Sequence, residues 1–166
     1  MSYRPDTPQD LKPKDLIGVP WRMAFALQSR GWYLRSDIIW HKPNAMPESV
    51  KDRPTQAHEY MFLLTKAEHY LYNYEEAKEL NGKGKKRNRR TVWSINTRGY
   101  EGAHFATFPE RLIEPPIIAG SNRGDCVLDP FFGSGTVGVV CECLNRRYIG
   151  IELHPDYIEM ACQRLT

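Results

Sequence analysis

The sequence predicts an α/β fold, a mostly parallel sheet flanked by helices, on three observations. Apolar runs of strand length alternate with stretches of helical period along the chain. Two of those runs, at 126–128 and 148–152, lead into acids, Asp129 and Glu152, with a glycine turn and a helical stretch between them. At 166 residues the chain has the size of one domain, long enough to bury roughly 70% of its unfolded surface.

Residues 1–14 are polar, with Pro5, Pro8 and Pro13, and read as an irregular lead-in. Asp15 can cap a helix over 16–30, in which Trp21, Ala24, Phe25 and Gln28 recur at steps of three and four. Pro20 falls near its first turn, where a missing N–H costs little, and Gly31 stops it. Residues 33–40 and 59–65 are rich in large apolar side chains and read as strands. Between them, 41–57 carries three prolines and is a long loop, of a kind that tends to be functional or disordered. Pro109 opens a helix through 119, with Leu112, Ile113, Pro116 and Ile117 on one side and a kink expected at Pro116. A strand at 126–128, a helix over 134–145 and a strand at 148–152 follow. Pro155 starts a last helix, with Tyr157, Ile158, Ala161 and Leu165 turned inward.

Composition narrows the class. A net charge of +3 and a pI near 8.7 give a mild bias toward polyanions. The four cysteines, Cys126, Cys141, Cys143 and Cys162, form no C-x-x-C pair and have no histidine-rich partner set, so no metal site is expected. Three of them sit where a buried, reduced thiol would pack. No run approaches the ~18 apolar residues of a membrane span, and the N-terminus lacks a secretory apolar core, so a cytoplasmic protein is expected.

The turn at 129–136 carries the chemistry. Glycines let a ligand approach the backbone, the following helix aims free N–H groups at it, and an acid at the next strand end can accept ribose hydroxyls. This is a nucleoside half-site. Gly133, Gly135 and Gly138 satisfy G-x-G-x-x-G, and Glu152 lies 19 residues past Gly133, so a dinucleotide fits on spacing. Against it, Asp129 to Phe132 intervene between strand and first glycine, and only 14 residues follow Glu152. A phosphate-gripping P-loop lacks its lysine after Gly135.

Residues 81–90 hold six positive charges, Lys83, Lys85, Lys86, Arg87, Arg89 and Arg90, and no acid. A solvated flexible loop accounts for them, and so does contact with a polyanion's phosphates. Lys42, with His41 and Asn44, follows a strand end and is a further candidate for that face; capping the strand is the plainer role. His58 and Glu59 read as structural.

Asp129-Pro130-Phe131-Phe132-Gly133-Ser134-Gly135-Thr136 resembles the cofactor motif of the S-adenosylmethionine-dependent DNA amino-methyltransferases, which methylate the exocyclic amine of adenine or cytosine. Their motif, most often D-P-F-x-G-S-G-T, is matched without a departure. The segment 104–109 is similar to the family's second cofactor-contacting segment, and the order of the two is that of the beta class. Residues 32–66 look like the family's later sheet strands, so the resemblance covers nearly the whole chain. It implies an incomplete Rossmann-like methyltransferase sheet in one partial domain, 1–166, with a short target-recognition insertion at about 74–100. By the same resemblance Asp129 and the turn through Thr136 surround the methionine part and adenosine of S-adenosylmethionine. Glu152, with Leu153 beside it, accepts ribose hydroxyls. Phe105, Ala106, Thr107 and Phe108 close over the amino-acid end, although Phe105 and Phe108 also fit as core anchors. Double-stranded DNA is the implied partner, the six basic residues and Lys42 its contacts, and a prokaryotic or phage cytoplasm with a restriction-modification role the implied setting.

Such a reaction flips the base out and stacks it on an aromatic ring, which the family does with Asp, Asn or Ser followed by Pro-Pro and Tyr, Phe or Trp. The single Pro-Pro here, Pro115-Pro116, lies between Glu114 and Ile117, without an aromatic residue and inside a helix. No catalytic residue is therefore assigned in this chain. In beta-class order the motif precedes the region that begins here near Leu11, so the expectation is a chain starting partway through the enzyme, with a gap of central strands, exposed edges, and a companion chain or second copy as partner. Three functions stay open: a methyltransferase segment with catalysis supplied elsewhere, a binding remnant for S-adenosylmethionine or DNA, and the disfavoured dinucleotide oxidoreductase.

Overall fold

The computed structural model describes residues 10–97 and 107–165. In chain order the elements are α1 (Val19–Ser29), β1 (Tyr33–His41), β2 (His58–Thr65), β3 (Glu79–Leu80), β4 (Lys86–Arg87), β5 (Val92–Ser94), α2 (Glu110–Gly120), β6 (Cys126–Asp129), α3 (Thr136–Cys143), β7 (Arg147–Gly150) and α4 (Pro155–Arg164). The α/β class holds, but the sheet is in pieces. One sheet has the order β2-β1-β5, antiparallel between β1 and β2 and parallel between β1 and β5. Strands β6 and β7 form a separate parallel pair, in register from Cys126↔Arg147 to Asp129↔Gly150. Among the described residues β1 alone is hydrogen-bonded to two neighbouring strands; each of the others has one.

The first helix starts later than expected. Gly18, at φ 68, stands before Val19, and Asp15 instead accepts the Lys12 N–H at 2.9 Å in an upstream turn. Its apolar face is half used. Trp21 sits edge-on to Tyr60 and Phe62 at 5.3 and 4.9 Å and Ala24 is buried, whereas Phe25 is exposed. Helix α2 runs on across Pro115 and Pro116 to Gly120.

Two apolar clusters form the core, and α2 lies between them. Ile117 packs with Val137, Val140 and Cys141 beneath β6 and β7; Leu112 packs with Trp40 and Trp93 on the larger sheet. Phe108 and Ile113 belong to both. The expectation of three buried thiols fails: Cys141 alone is buried, while Cys126, Cys143 and Cys162 are exposed. Leu128, Ile149 and Ile151 on and beside the β6–β7 pair are among the large apolar side chains left exposed.

Candidate functional site

Both parallel strands of the small sheet run out at one end, and the candidate residues gather there, where open parallel sheets hold ligands. Past β6, the chain from Pro130 to Gly135 is stitched to the end of β7. Ile151 N–H donates to the Asp129 carbonyl and Phe132 N–H to the Ile151 carbonyl, each at 2.9 Å. The Asp129 carboxylate accepts the Phe131 N–H at 2.9 Å and so shapes the turn from within.

Glycine serves two different purposes here. Gly133 and Gly135 lie at φ 53 and 80, the left-handed region that costs other residues strain, and Gly135 is the residue before α3. That placement starts α3 at Thr136 rather than at 134. Gly138 and Gly150 are different: a methyl group on them would stand 2.8 and 2.4 Å from the Phe132 ring. The two phenylalanines of the turn thus part company. Phe132 is packed between these glycines and stacked on Tyr148 at 5.7 Å, whereas Phe131 is exposed.

Glu152 closes the turn. One carboxylate oxygen accepts the Gly133 N–H at 2.8 Å; the other accepts Leu153 and His154 N–H groups at 2.8 and 2.9 Å. These bonds, that from His154 foremost, hold its carboxyl below the ordinary 4.5, so it is an anion at neutral pH. Beside it opens a cavity of about 600 Å³ walled by Phe132, Tyr148, Ile151, Ile158 and Leu165. Leu153 is exposed. Ser134 and Thr136 are buried, and Arg164 of α4 reaches both. Phe105 and Ala106 lie outside the described residues. Thr107 is half-buried, and Phe108 is engaged in both core clusters.

The basic stretch is a hairpin rather than a featureless loop. Strands β3 and β4 pair, and the Asn81 side-chain oxygen accepts the Lys83 and Lys85 N–H groups at 2.9 Å. Glu79 binds Arg87 at 2.8 Å and stands 3.8 Å from Arg89, whose guanidinium lies over Trp93. Lys83, Lys85, Lys86 and Arg90 are exposed. Lys42 pairs with Glu59 and covers the Trp40 ring at 4.5 Å. His41 Nδ1 is 3.0 Å from Ser94 Oγ, and Asn44 exchanges two hydrogen bonds with the Thr97 backbone.

A family profile described as DNA methylase matches residues 5–163. The chain belongs to this DNA methylase family. It is 65% identical over 165 residues to the Type II methyltransferase M.Cfr9I of Citrobacter freundii, covering 99% of this chain and 55% of that protein. With the Type II methyltransferase M.SmaI of Serratia marcescens the identity is 60% over 167 residues, 57% of that protein being covered. The chain spans about half the length of the curated relatives it matches. Among solved structures, the M1.HpyAVI–SAM complex superposes with a TM-score of 0.70 at 29% identity, covering 90% of this chain and 70% of that one. The cytosine-N4-specific PvuII DNA methyltransferase gives 0.76 at 23% identity over 91% of this chain and 60% of that one, a likeness of fold.

In this chain, Arg164 and Arg146 escaped the sequence reading. Neither carries a spacing signal, because Arg164 acts on Glu110, Ser134 and Thr136 and Arg146 on Ser121, partners distant in sequence that the fold brings near.

Proposed function

We propose that the chain is the cofactor- and DNA-binding part of an S-adenosylmethionine-dependent DNA methyltransferase acting on the exocyclic amine of adenine or cytosine. One observation carries this: the left-handed glycine turn after β6 is fastened by its own N–H to the ionised Glu152 at the end of β7. The donor set fits the cofactor. Glu152 offers oxygen acceptors for ribose hydroxyls, the exposed Phe131 and Leu153 offer apolar surface beside them, and the open backbone at Gly133 allows close approach. Asp129 and the stretch Pro130 to Thr136 would hold the adenosine and methionine parts, and Phe105 to Phe108 the amino-acid end. S-adenosylmethionine would supply a methyl group on a sulfonium centre. The protein's part is to bind, to orient, and to keep Glu152 charged.

The exposed Lys83, Lys85, Lys86 and Arg90 would face DNA phosphates, with Lys42, Arg87 and Arg89 nearby but engaged with carboxylates. A companion chain or a second copy would complete the sheet along the β2 and β6 edges. The setting would be a prokaryotic or phage cytoplasm; among the described residues no helix is long and apolar enough to cross a membrane.

Isothermal titration of the purified chain should show binding of S-adenosylmethionine and none of NAD; the reverse outcome ends the proposal. Tritiated methyl transfer to unmodified DNA then asks whether the chain turns over alone. We expect no incorporation, because the aromatic Pro-Pro element is missing from it.

A further inference from the structure

We propose that Arg164 is a positioning residue for the cofactor turn, fixing it to the segment that leads into α2; this rests on the reading of the turn given above. The turn holds two glycines in left-handed conformation, the residue type that loses most freedom on ordering, so it needs restraint from outside itself. Helix α4 provides that restraint. Ala161 and Leu165 close on Gly135, where an added methyl would stand 3.2 Å from each. Between them Arg164, with its side chain 17% exposed, extends one guanidinium nitrogen to the Thr136 hydroxyl at 3.1 Å and the Ser134 carbonyl at 3.3 Å. Its other terminal nitrogen binds Glu110 at 2.6 Å, in the first turn of α2.

The consequence is geometric. Glu110 comes directly after Thr107, Phe108 and Pro109, the described end of the second cofactor segment. One rigid, planar fork therefore joins the two stretches of chain assigned to the cofactor's methionine part, which are 26 residues apart between Glu110 and Thr136. Lysine has a single nitrogen, which could serve Glu110 or the Ser134–Thr136 pair but has no second arm with which to join them.

The test is calorimetric titration of the full chain with S-adenosylmethionine, beside circular-dichroism melting. Arg164→Lys should weaken binding roughly tenfold, the scale of lost hydrogen bonds from a charged donor, while the folded spectrum persists. Arg164→Ala and Thr136→Val should together lose less than the product of their separate losses, since both break one contact. Glu110→Gln, an exposed substitution that leaves the core untouched, should weaken binding about threefold by removing the charge that holds one arm of the fork. An Arg164→Lys chain that binds like wild type, independent losses for the pair, or an inert Glu110→Gln would each overturn the inference while the proposed function stands. Failure of the wild-type chain to bind S-adenosylmethionine would instead remove the reading beneath it.

Discussion

A methyl group on Gly150 would lie 2.4 Å from the Phe132 ring, inside any permitted contact. Since the obstruction is ring atoms near the Cβ rather than a flexible tip, Gly150→Ala should destabilise the chain by about 1–3 kcal/mol, measurable by urea denaturation. Glu152 gives the second prediction at this scale. Its carboxyl is lowered, so its contribution is complete above the ordinary 4.5 and is lost as pH falls through the lower folded value. Affinity for S-adenosylmethionine should accordingly be insensitive to this group from pH 8 to about 5, and Glu152→Gln should reduce it on the order of tenfold across that range. A titration midpoint between 6 and 7 that vanishes in the variant would contradict the assignment. Asp129 to Thr136 and Glu152 were legible in the sequence because their pattern is contiguous or one strand–helix–strand apart. The packing duties of Gly138 and Gly150 were not, because they exist only once Phe132 has chosen its side of the sheet.

At the scale of elements, α2 shows how a helix with two prolines is kept. Its C-terminal carbonyls are gathered by two side chains: Asn73 donates to Ile118 and Ser121 carbonyls at 3.1 and 2.9 Å, and the buried Arg146 to the Ser121 carbonyl at 2.9 Å. Arg146 also donates to the Leu144 carbonyl at 2.6 Å, just past α3, so one cation faces the negative ends of two helices. Arg146→Ala should cost on the order of 2 kcal/mol in chemical denaturation, since the Leu144 carbonyl loses this donor and the Ser121 carbonyl keeps Asn73 alone of its two side-chain donors. The β3–β4 hairpin makes a separate prediction. With Arg87 and Arg89 beside Glu79, the exposed lysines remain to meet phosphate, so replacing Lys83, Lys85 and Lys86 by Gln should lower the slope of log affinity for DNA against log salt by about 2–3. An unchanged slope would place DNA elsewhere. The basic run was plain in the sequence; its division into pinned and exposed charges was not, since Glu79 lies outside the run and reaches it only through strand pairing.

Over the whole molecule, Leu128, Ile149 and Ile151 stand exposed on and beside the β6–β7 pair, and β1 alone of the described strands is paired on both sides, so apolar strand surface is left uncovered. The alternation of elements announced the α/β class, yet nothing local could say that β1, β2 and β5 would close into one sheet and β6 with β7 into another. Strand partnership is a long-range property, and a free edge in the sequence looks like any other apolar run. The chain alone should bind a hydrophobic dye in its folded state and elute larger than a monomer as concentration rises; a dye-silent monomer in light scattering would refute this.

Phe108 and Ile113 touch the tryptophan cluster on one flank and the Val137–Cys141 cluster on the other. The indoles of Trp40 and Trp93 therefore have a mechanical line to a turn they never meet: any tug on residues 107–108 disturbs their surroundings. Intrinsic fluorescence should change when the turn is filled, giving a signal of occupancy without a label.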